Sequence, residues 1–267
     1  MGTFRDAGWV WEGVAFDPGV EPTIYGVGEG AKYFGLDRVN FMFHRNNHVN
    51  LSKLQDVGEV VPEISKWKWV QIEPEPGEHG WGFAQHRDSD PATVREEAEN
   101  VSRLSVDFPN ITGALIDDTH GMFDFDSFSQ DRPTEILTAL HSANPDLKLW
   151  LVVYTHELEL EQWRYFLPYI DVVNLWVWKY QDLPELERSV ERCAEVFPGI
   201  EINVGSYIRD YPSRDAVPLD AMRGQYETML RLWEAGRISG YSVLAACLID
   251  MHPPQAEFIR EFIAEHS

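Results

Sequence analysis

The sequence has little cysteine and no long apolar runs, and each shortage argues against a class of protein. Only 2 cysteines occur among 267 residues, Cys193 and Cys247, so neither a disulfide framework nor a cysteine metal site is expected. No stretch approaches the roughly 18 apolar residues of a membrane helix, and no apolar leader follows Met1. We therefore expect a soluble protein with no membrane partner. It would be cytoplasmic as the sequence stands, or secreted if a leader has been removed.

Basic side chains are also scarce. The chain has 22 lysines and arginines against 44 aspartates and glutamates, which gives a net charge of −22, and only 6 of the basic residues are lysines. Such a surface repels a phosphate backbone, so no nucleic-acid partner is expected. The acidic, lysine-poor composition resembles that of proteins from salt-adapted microbes.

Short apolar runs alternate with amphipathic stretches along the whole chain, which is the pattern of repeated βα units. The predicted strands are residues 9–16, 38–44, 66–72, 112–117, 148–155, 172–178, 201–207 and 240–246. The predicted helices begin near Pro22, His48, Pro91, Pro133, Leu158, Pro184, Pro218 and Pro253. Eight repeats predict an α/β fold in which residues 1–267 form a single (β/α)8 TIM barrel domain. A doubly wound open sheet would usually have fewer repeats, and no glycine-rich phosphate turn follows the first strand.

Acidic residues end two neighbouring predicted strands, at the barrel face where active sites form. Asp117 and Asp118 follow the apolar run of the fourth strand, and Glu157 follows the fifth. Strand alternation points Asp117 into the barrel mouth and leaves Asp118 at the rim, where it would assist Asp117 or cap the following loop. Glycoside hydrolysis uses such a pair: one acid protonates the leaving oxygen, and the other carboxylate attacks the anomeric carbon or activates water. We predict Asp117 and Glu157 as the catalytic pair, with Asp118 assisting.

Polar and aromatic residues at the other strand ends suit a carbohydrate substrate. The chain contains 10 tryptophans, and flat aromatic faces pack well against the apolar faces of sugar rings. The predicted substrate-binding residues are His44, Trp69, Glu73, His120, Trp178, Tyr207 and Asp250. Neither a cofactor nor a bound metal is expected, and the sequence makes no prediction about oligomeric state.

The element Gly113-Ala-Leu-Ile-Asp-Asp118, with an acid on the following strand, resembles that of TIM-barrel glycoside hydrolases. The spherulin-4-like and polygalactosaminidase-like groups are among the nearer comparisons. The Asp-x-Asp-x-Glu strand of chitinases is missing, and so is the Asn-Glu pair at the fourth strand of many β-retaining barrels. The resemblance implies a glycoside hydrolase or a related glycan-cleaving enzyme, without specifying the sugar, the linkage or the stereochemical course.

Two other functions stay open at this stage. A metal-assisted sugar isomerase, epimerase or aldolase would draw its ligands from several strand ends. Candidate ligands are His44, Glu73, Asp117, His120, His156, Glu157 and Asp250. No HExxH motif, cysteine pair or His-x-His on the first strand marks a tight site. The second alternative is a sugar-binding barrel without catalysis.

Overall fold

The computed structural model describes residues 2–13, 20–65, 67–72, 82–87, 91–122 and 131–267. Within these residues, eight parallel strands form one sheet. They are β1 (Gly8–Trp11), β2 (Arg38–Phe41), β3 (Glu59–Pro62), β4 (Gly113–Ile116), β5 (Lys148–Tyr154), β6 (Val172–Trp176), β7 (Glu201–Tyr207) and β8 (Gly240–Leu244). Their order is β3-β2-β1-β8-β7-β6-β5-β4. Parallel bridges from Val60 to Ile111 and from Glu63 to Leu115 join the two outer strands. The predicted (β/α)8 TIM barrel is confirmed.

The helices of the described segments follow the strands around the outside of the barrel. They are α1 (Val27–Phe34), α2 (His48–Leu51), α3 (Pro91–Asp107), α4 (Thr119–Met122), α5 (Asp131–Leu140), α6 (Leu160–Trp163), α7 (Leu186–Val196), α8 (Leu219–Glu234) and α9 (Pro253–Glu265). Helix α7 shows why they pack there: Leu186, Val190, Cys193 and Val196 recur every three or four residues and are all buried. The first helix begins at Val27 rather than near Pro22. None of the described helices is long and apolar enough to cross a membrane.

The third strand was predicted in the wrong place. Residues 66–72 were expected to enter the barrel, but Trp67–Ile72 pairs antiparallel with Gly82–Arg87 in a hairpin between β3 and α3. The barrel strand is instead the shorter β3, which pairs with β2 from Arg38–Glu59 to Phe41–Pro62. Its four residues begin with a glutamate and end with a proline, so they carry a weak apolar signal. The alternating run of residues 67–72 correctly indicated a strand, but alternation does not specify the strand's partner.

Tryptophans fill both ends of the barrel interior. Trp9 on β1 and Trp150 on β5 meet edge to face, with ring centroids 4.8 Å apart. Two residues further along β1, Trp11 meets Trp176 of β6 at 5.2 Å, closer to the carboxyl ends of the strands. The Trp176 ring lies against Gly205 of β7, and a Cβ added at Gly205 would come within 2.1 Å of the Trp176 ring. The second tryptophan pair therefore needs a glycine on the adjoining strand.

A layer of buried polar side chains lies between the two tryptophan pairs. Asn203 donates from Nδ2 to Ser242 Oγ at 2.7 Å and to Asn174 Oδ1 at 3.2 Å. Ser242 Oγ donates in turn to Asn40 Oδ1 at 3.1 Å. These four residues come from strands β2, β6, β7 and β8, so the hydrogen bonds tie opposite walls together. The interior is consequently packed across its middle, as is usual for this fold.

Candidate active site

A cleft of about 390 Å³ opens at the carboxyl ends of the barrel strands. It has acidic groups on one side and aromatic rings on its floor and wall. Its described lining residues are Trp11, Phe43, Asp117, Asp118, Tyr154, His156, Glu157, Trp176, Trp178, Tyr207, Tyr211 and Leu244. This face is where the sequence predicted the functional site, and an apolar cleft with a few convergent polar groups is the usual form of a small-molecule site.

The two consecutive aspartates both line the cleft. Asp117 is buried directly after β4, where its N–H donates to the hydroxyl of Ser65 at 3.1 Å. The N–H of Asp118 donates to Asp117 Oδ1 at 2.9 Å. Alternation alone would turn two successive side chains to opposite sides. Asp118 instead has φ of 43°, in the left-handed region, so the chain leaves strand geometry at this residue and brings both carboxylates to one side.

Glu157 reaches the cleft from a short turn, Thr155–Glu157, that follows β5. Its Oε2 accepts a hydrogen bond from the N–H of Tyr154 at 3.0 Å, and its Oε1 lies 3.5 Å from Nδ1 of His120. Burial raises the pKa of the Glu157 carboxyl, although the Tyr154 N–H and His120 act in the opposite direction. A carboxyl group that keeps its proton to a higher pH than an ordinary glutamate is suited to act as an acid.

Two tyrosines contribute hydroxyl groups to the same cleft. Tyr154, the last residue of β5, donates from its phenol to Asp118 Oδ1 at 2.7 Å. Tyr207, the last residue of β7, lines the same cleft. Burial raises the pKa of both phenols well above the ordinary tyrosine value. Both rings therefore stay neutral near pH 7 and remain able to donate.

Aromatic rings form another part of the cleft wall. Trp178 stacks on Tyr211 with ring centroids 6.1 Å apart and planes 14° apart, and it meets Tyr154 edge-on at 5.6 Å. Trp178 is one of the few large apolar side chains on the surface among the described residues, at 37% exposed. Deeper in the cleft, Trp176 packs against Tyr207 at 4.7 Å. Flat faces of this kind are suited to stacking against sugar rings.

The structure brings most of the predicted site residues together. Asp117, Asp118, Glu157, Trp178 and Tyr207 all line the cleft. His120 adjoins it through its contact with Glu157. Their grouping fits the predicted roles, and those roles stay predictions.

Other predicted binding residues lie elsewhere. His44 lines a second cavity, of about 170 Å³, together with Glu12 and Phe41. Asp250 lies beyond β8, where both of its carboxylate oxygens accept from Thr23 Oγ1 at 2.9 Å. Glu73 and the side chain of Trp69 lie outside the described residues.

Several cleft residues were not predicted, namely Trp11, Phe43, Tyr154, Tyr211 and Leu244. Tyr154 could have been found by alternation, because it shares the inward side of β5 with Trp150. A further buried acid, Glu63, accepts from Ser65 Oγ at 2.6 Å and from the N–H of Phe43 at 3.1 Å. It was missed because the third strand was placed too late in the chain. Among the described residues, no group of three or more His, Cys, Asp or Glu is arranged to hold a metal ion.

The chain matches no family model and no curated protein. Its fold nevertheless matches solved structures along almost its whole length. A chitinase from Chromobacterium violaceum superposes with a TM-score of 0.56 at 11% identity, covering 97% of this chain and 99% of that one. The PgaB glycoside hydrolase domain from Bordetella bronchiseptica superposes with a TM-score of 0.52 at 14% sequence identity, covering 96% of this chain and 88% of that one.

A GH99 endo-alpha-mannosidase from Bacteroides thetaiotaomicron gives a TM-score of 0.51 at 12% identity, covering 99% of this chain and 100% of that one. At such identities the likeness shows the fold alone. The structural neighbours of this chain are thus TIM-barrel glycoside hydrolases, in keeping with the resemblance of its Gly113 to Asp118 element.

Proposed function

We propose that this protein is a glycoside hydrolase that cleaves a carbohydrate substrate through Asp117 and Glu157, with Asp118 assisting. The observation that carries the proposal is that acids from the ends of β4 and β5 line one cleft with stacking aromatic rings. The fold neighbours support glycan cleavage in general.

The surroundings of the two acids suggest different roles. Glu157 acts as the general acid, because burial raises the pKa of its carboxyl and favours the protonated form. It gives this proton to the glycosidic oxygen as the bond to the anomeric carbon breaks. Asp117 acts as the carboxylate, and its Oδ1 is held in place by the Asp118 N–H at 2.9 Å. This carboxylate supplies the electron pair to the anomeric carbon, directly or by deprotonating water.

The aromatic residues hold the sugar in place. Trp178 and Tyr211 present stacked rings at the mouth, and Trp176 closes the cleft below them. A sugar ring lying against this wall would place its polar edge toward Asp117 and Asp118. Stacking with a polar edge held by acids is a common way of binding carbohydrates.

The substitutions Asp117→Asn and Glu157→Gln test these roles, because an amide keeps the shape of the side chain but neither protonates a leaving group nor acts as a base. Each is expected to lower turnover of a released sugar by about 10²- to 10⁴-fold, with substrate affinity largely retained. Asp250→Asn is the matched control for the first, since Asp250 bonds Thr23 away from the cleft. Glu159→Gln is the control for the second, because Glu159 is exposed two residues further along.

The assay is reducing-end release across a panel of aryl glycosides and polysaccharides, with circular dichroism and thermal melting of every variant. A folded Asp117→Asn protein with wild-type turnover would remove Asp117 from the mechanism. Sugar affinity without hydrolysis across the panel would instead favour a binding protein. EDTA is expected to leave turnover unchanged, since both roles belong to carboxyl groups of the chain. Loss restored by magnesium or manganese would favour a metal-assisted enzyme.

A further inference from the structure

One residue of the cleft contacts two of the proposed functional acids. The backbone N–H of Tyr154 donates to Glu157 Oε2 at 3.0 Å, and its phenol donates to Asp118 Oδ1 at 2.7 Å. The second distance is in the usual range for a hydroxyl bonded to a carboxylate. Tyr154 therefore connects the acid that follows β5 to the acids that follow β4.

Asp118 depends on this contact more than an ordinary side chain would. Its φ of 43° is costly for a residue with a Cβ, although aspartate tolerates this region better than most. The same conformation turns its carboxylate to the side already occupied by Asp117, and two adjacent carboxylates repel each other. A neutral phenol donating to Asp118 offsets both costs without introducing a cation into the cleft.

The environment of the phenol fits this role. The Tyr154 ring lines the cleft and packs edge-on against Trp178 at 5.6 Å. It also stacks on His156 at 5.6 Å. Trp178, which packs on this ring, is itself packed edge-on against Tyr207 at 6.3 Å. Packing on several sides restricts the hydroxyl to few directions, so the hydrogen bond fixes the position of the acceptor.

We propose that Tyr154 is a positioning residue of this site, whose phenol turns the Asp118 carboxylate into the cleft while its backbone N–H holds Glu157. The inference rests on the proposed glycoside hydrolase function, and it adds a residue that the acid pair alone does not require. It assigns Tyr154 an effect on turnover that passes through Asp118. Asp118 in turn assists at the reacting centre.

Tyr154→Phe is a narrow test, because it removes the hydroxyl and keeps both the ring and the N–H that holds Glu157. It is expected to lower kcat by about 10- to 100-fold with KM little changed, as for a lost hydrogen bond to a charged group that acts in the transition state. Tyr241→Phe is the matched control. Tyr241 is a buried barrel tyrosine whose hydroxyl has no hydrogen-bond partner among the described residues. The kcat of the Tyr241→Phe variant should stay at the wild-type value.

A double-mutant cycle shows whether the effect passes through Asp118. Asp118→Gly removes the acceptor, and glycine adopts a φ of 43° without steric cost. In this background, Tyr154→Phe should change kcat by no more than about 2-fold. A Tyr154→Phe variant with the wild-type kcat would overturn the proposal. So would a Tyr154→Phe substitution that lowers kcat as much in the Asp118→Gly background as it does in the wild type.

A crystal structure of Tyr154→Phe gives a readout that needs no hydrolysis. The Asp118 carboxylate is expected to turn away from its wild-type position while Glu157 stays in place. An unmoved Asp118 would overturn the positioning role. Failure of the proposed function is separately visible, because the wild-type protein would then release no sugar while the crystallographic comparison still decides what Tyr154 does.

Discussion

The buried carboxyl of Glu12 makes the stability of this protein depend on pH in a way that one substitution should remove. Glu12 follows β1 and is only 5% exposed. Burial raises the pKa of this carboxyl from 4.5 to about 8. The nearby charge of Glu29 acts in the same direction, whereas the N–H of Val27 and the charge of Lys53 oppose it.

The direction of the pH dependence follows from whether the folded or the unfolded state releases the Glu12 proton at the lower pH. Between pH 4.5 and about 8, the unfolded chain has lost the Glu12 proton and the folded chain still holds it. The free energy of unfolding therefore falls as pH rises through this window. The complete loss is about 5 kcal/mol, because each pH unit of a one-proton difference contributes about 1.4 kcal/mol. Stability from this group is fully present below pH 4.5 and lost above about 8.

Glu12→Gln replaces the carboxyl by an amide that stays neutral and still accepts from Val27. The variant should match the wild-type free energy of unfolding near pH 4 and exceed it by several kcal/mol near pH 9. Urea unfolding followed by tryptophan fluorescence across this range measures both proteins, and their difference cancels the titration of other carboxyls. Glu29→Gln, an exposed neighbour in the same cavity, should keep most of the wild-type slope. A constant difference between wild type and Glu12→Gln at all pH values would refute the reasoning.

Three further outcomes are expected. The melting temperature should rise as sodium or potassium chloride increases from low to molar concentration. The chain has 44 acidic side chains against 22 basic ones, and ions screen the repulsion among the excess acidic groups. A melting temperature that stays constant or falls with salt would contradict this. Gly205→Ala should cost about 1–3 kcal/mol in urea unfolding, since its methyl would meet the Trp176 ring at 2.1 Å. Gly224→Ala, whose Cβ meets nothing within 4 Å on α8, should not destabilise. Trp178→Ala should raise KM by about tenfold with kcat nearly unchanged, and a change confined to kcat would speak against stacking.

The repeat of strands and helices was readable from the sequence because each barrel strand except β3 carries an apolar run long enough to stand out. The failure at β3 has a physical cause. Val60 and Val61 are followed by a proline, so the local signal is short, and what holds the strand in place is pairing with β2 and bridges to Ile111 and Leu115. Such partners are distant in the sequence, so no local pattern contains them.

In the candidate site too, the residues placed by local sequence were predictable, and those placed by contacts distant in the sequence or by an unusual backbone conformation were not. Asp117 and Glu157 were predictable because each follows a buried strand, and strand ends are where barrel sites form. The position of the Asp118 side chain was not predictable, because the prediction assumed strand alternation and the φ of 43° at Asp118 departs from strand geometry. Tyr211 was missed because it follows a two-residue strand, Arg209–Asp210, and it packs in the cleft against Trp178 and Tyr207, which are distant in the sequence.

The packing of the barrel interior also shapes the cleft. Trp11 and Trp176 can meet beneath the acids only because Gly205 leaves room for a large ring. Their rings lie above the amide and hydroxyl layer centred on Ser242, so the cleft ends on an apolar floor within the barrel. Glu157 lines the same cleft, and its own burial raises the pKa of its carboxyl. The glycine and tryptophans that pack the core therefore also form the floor of the cleft that the proposed general acid, Glu157, lines.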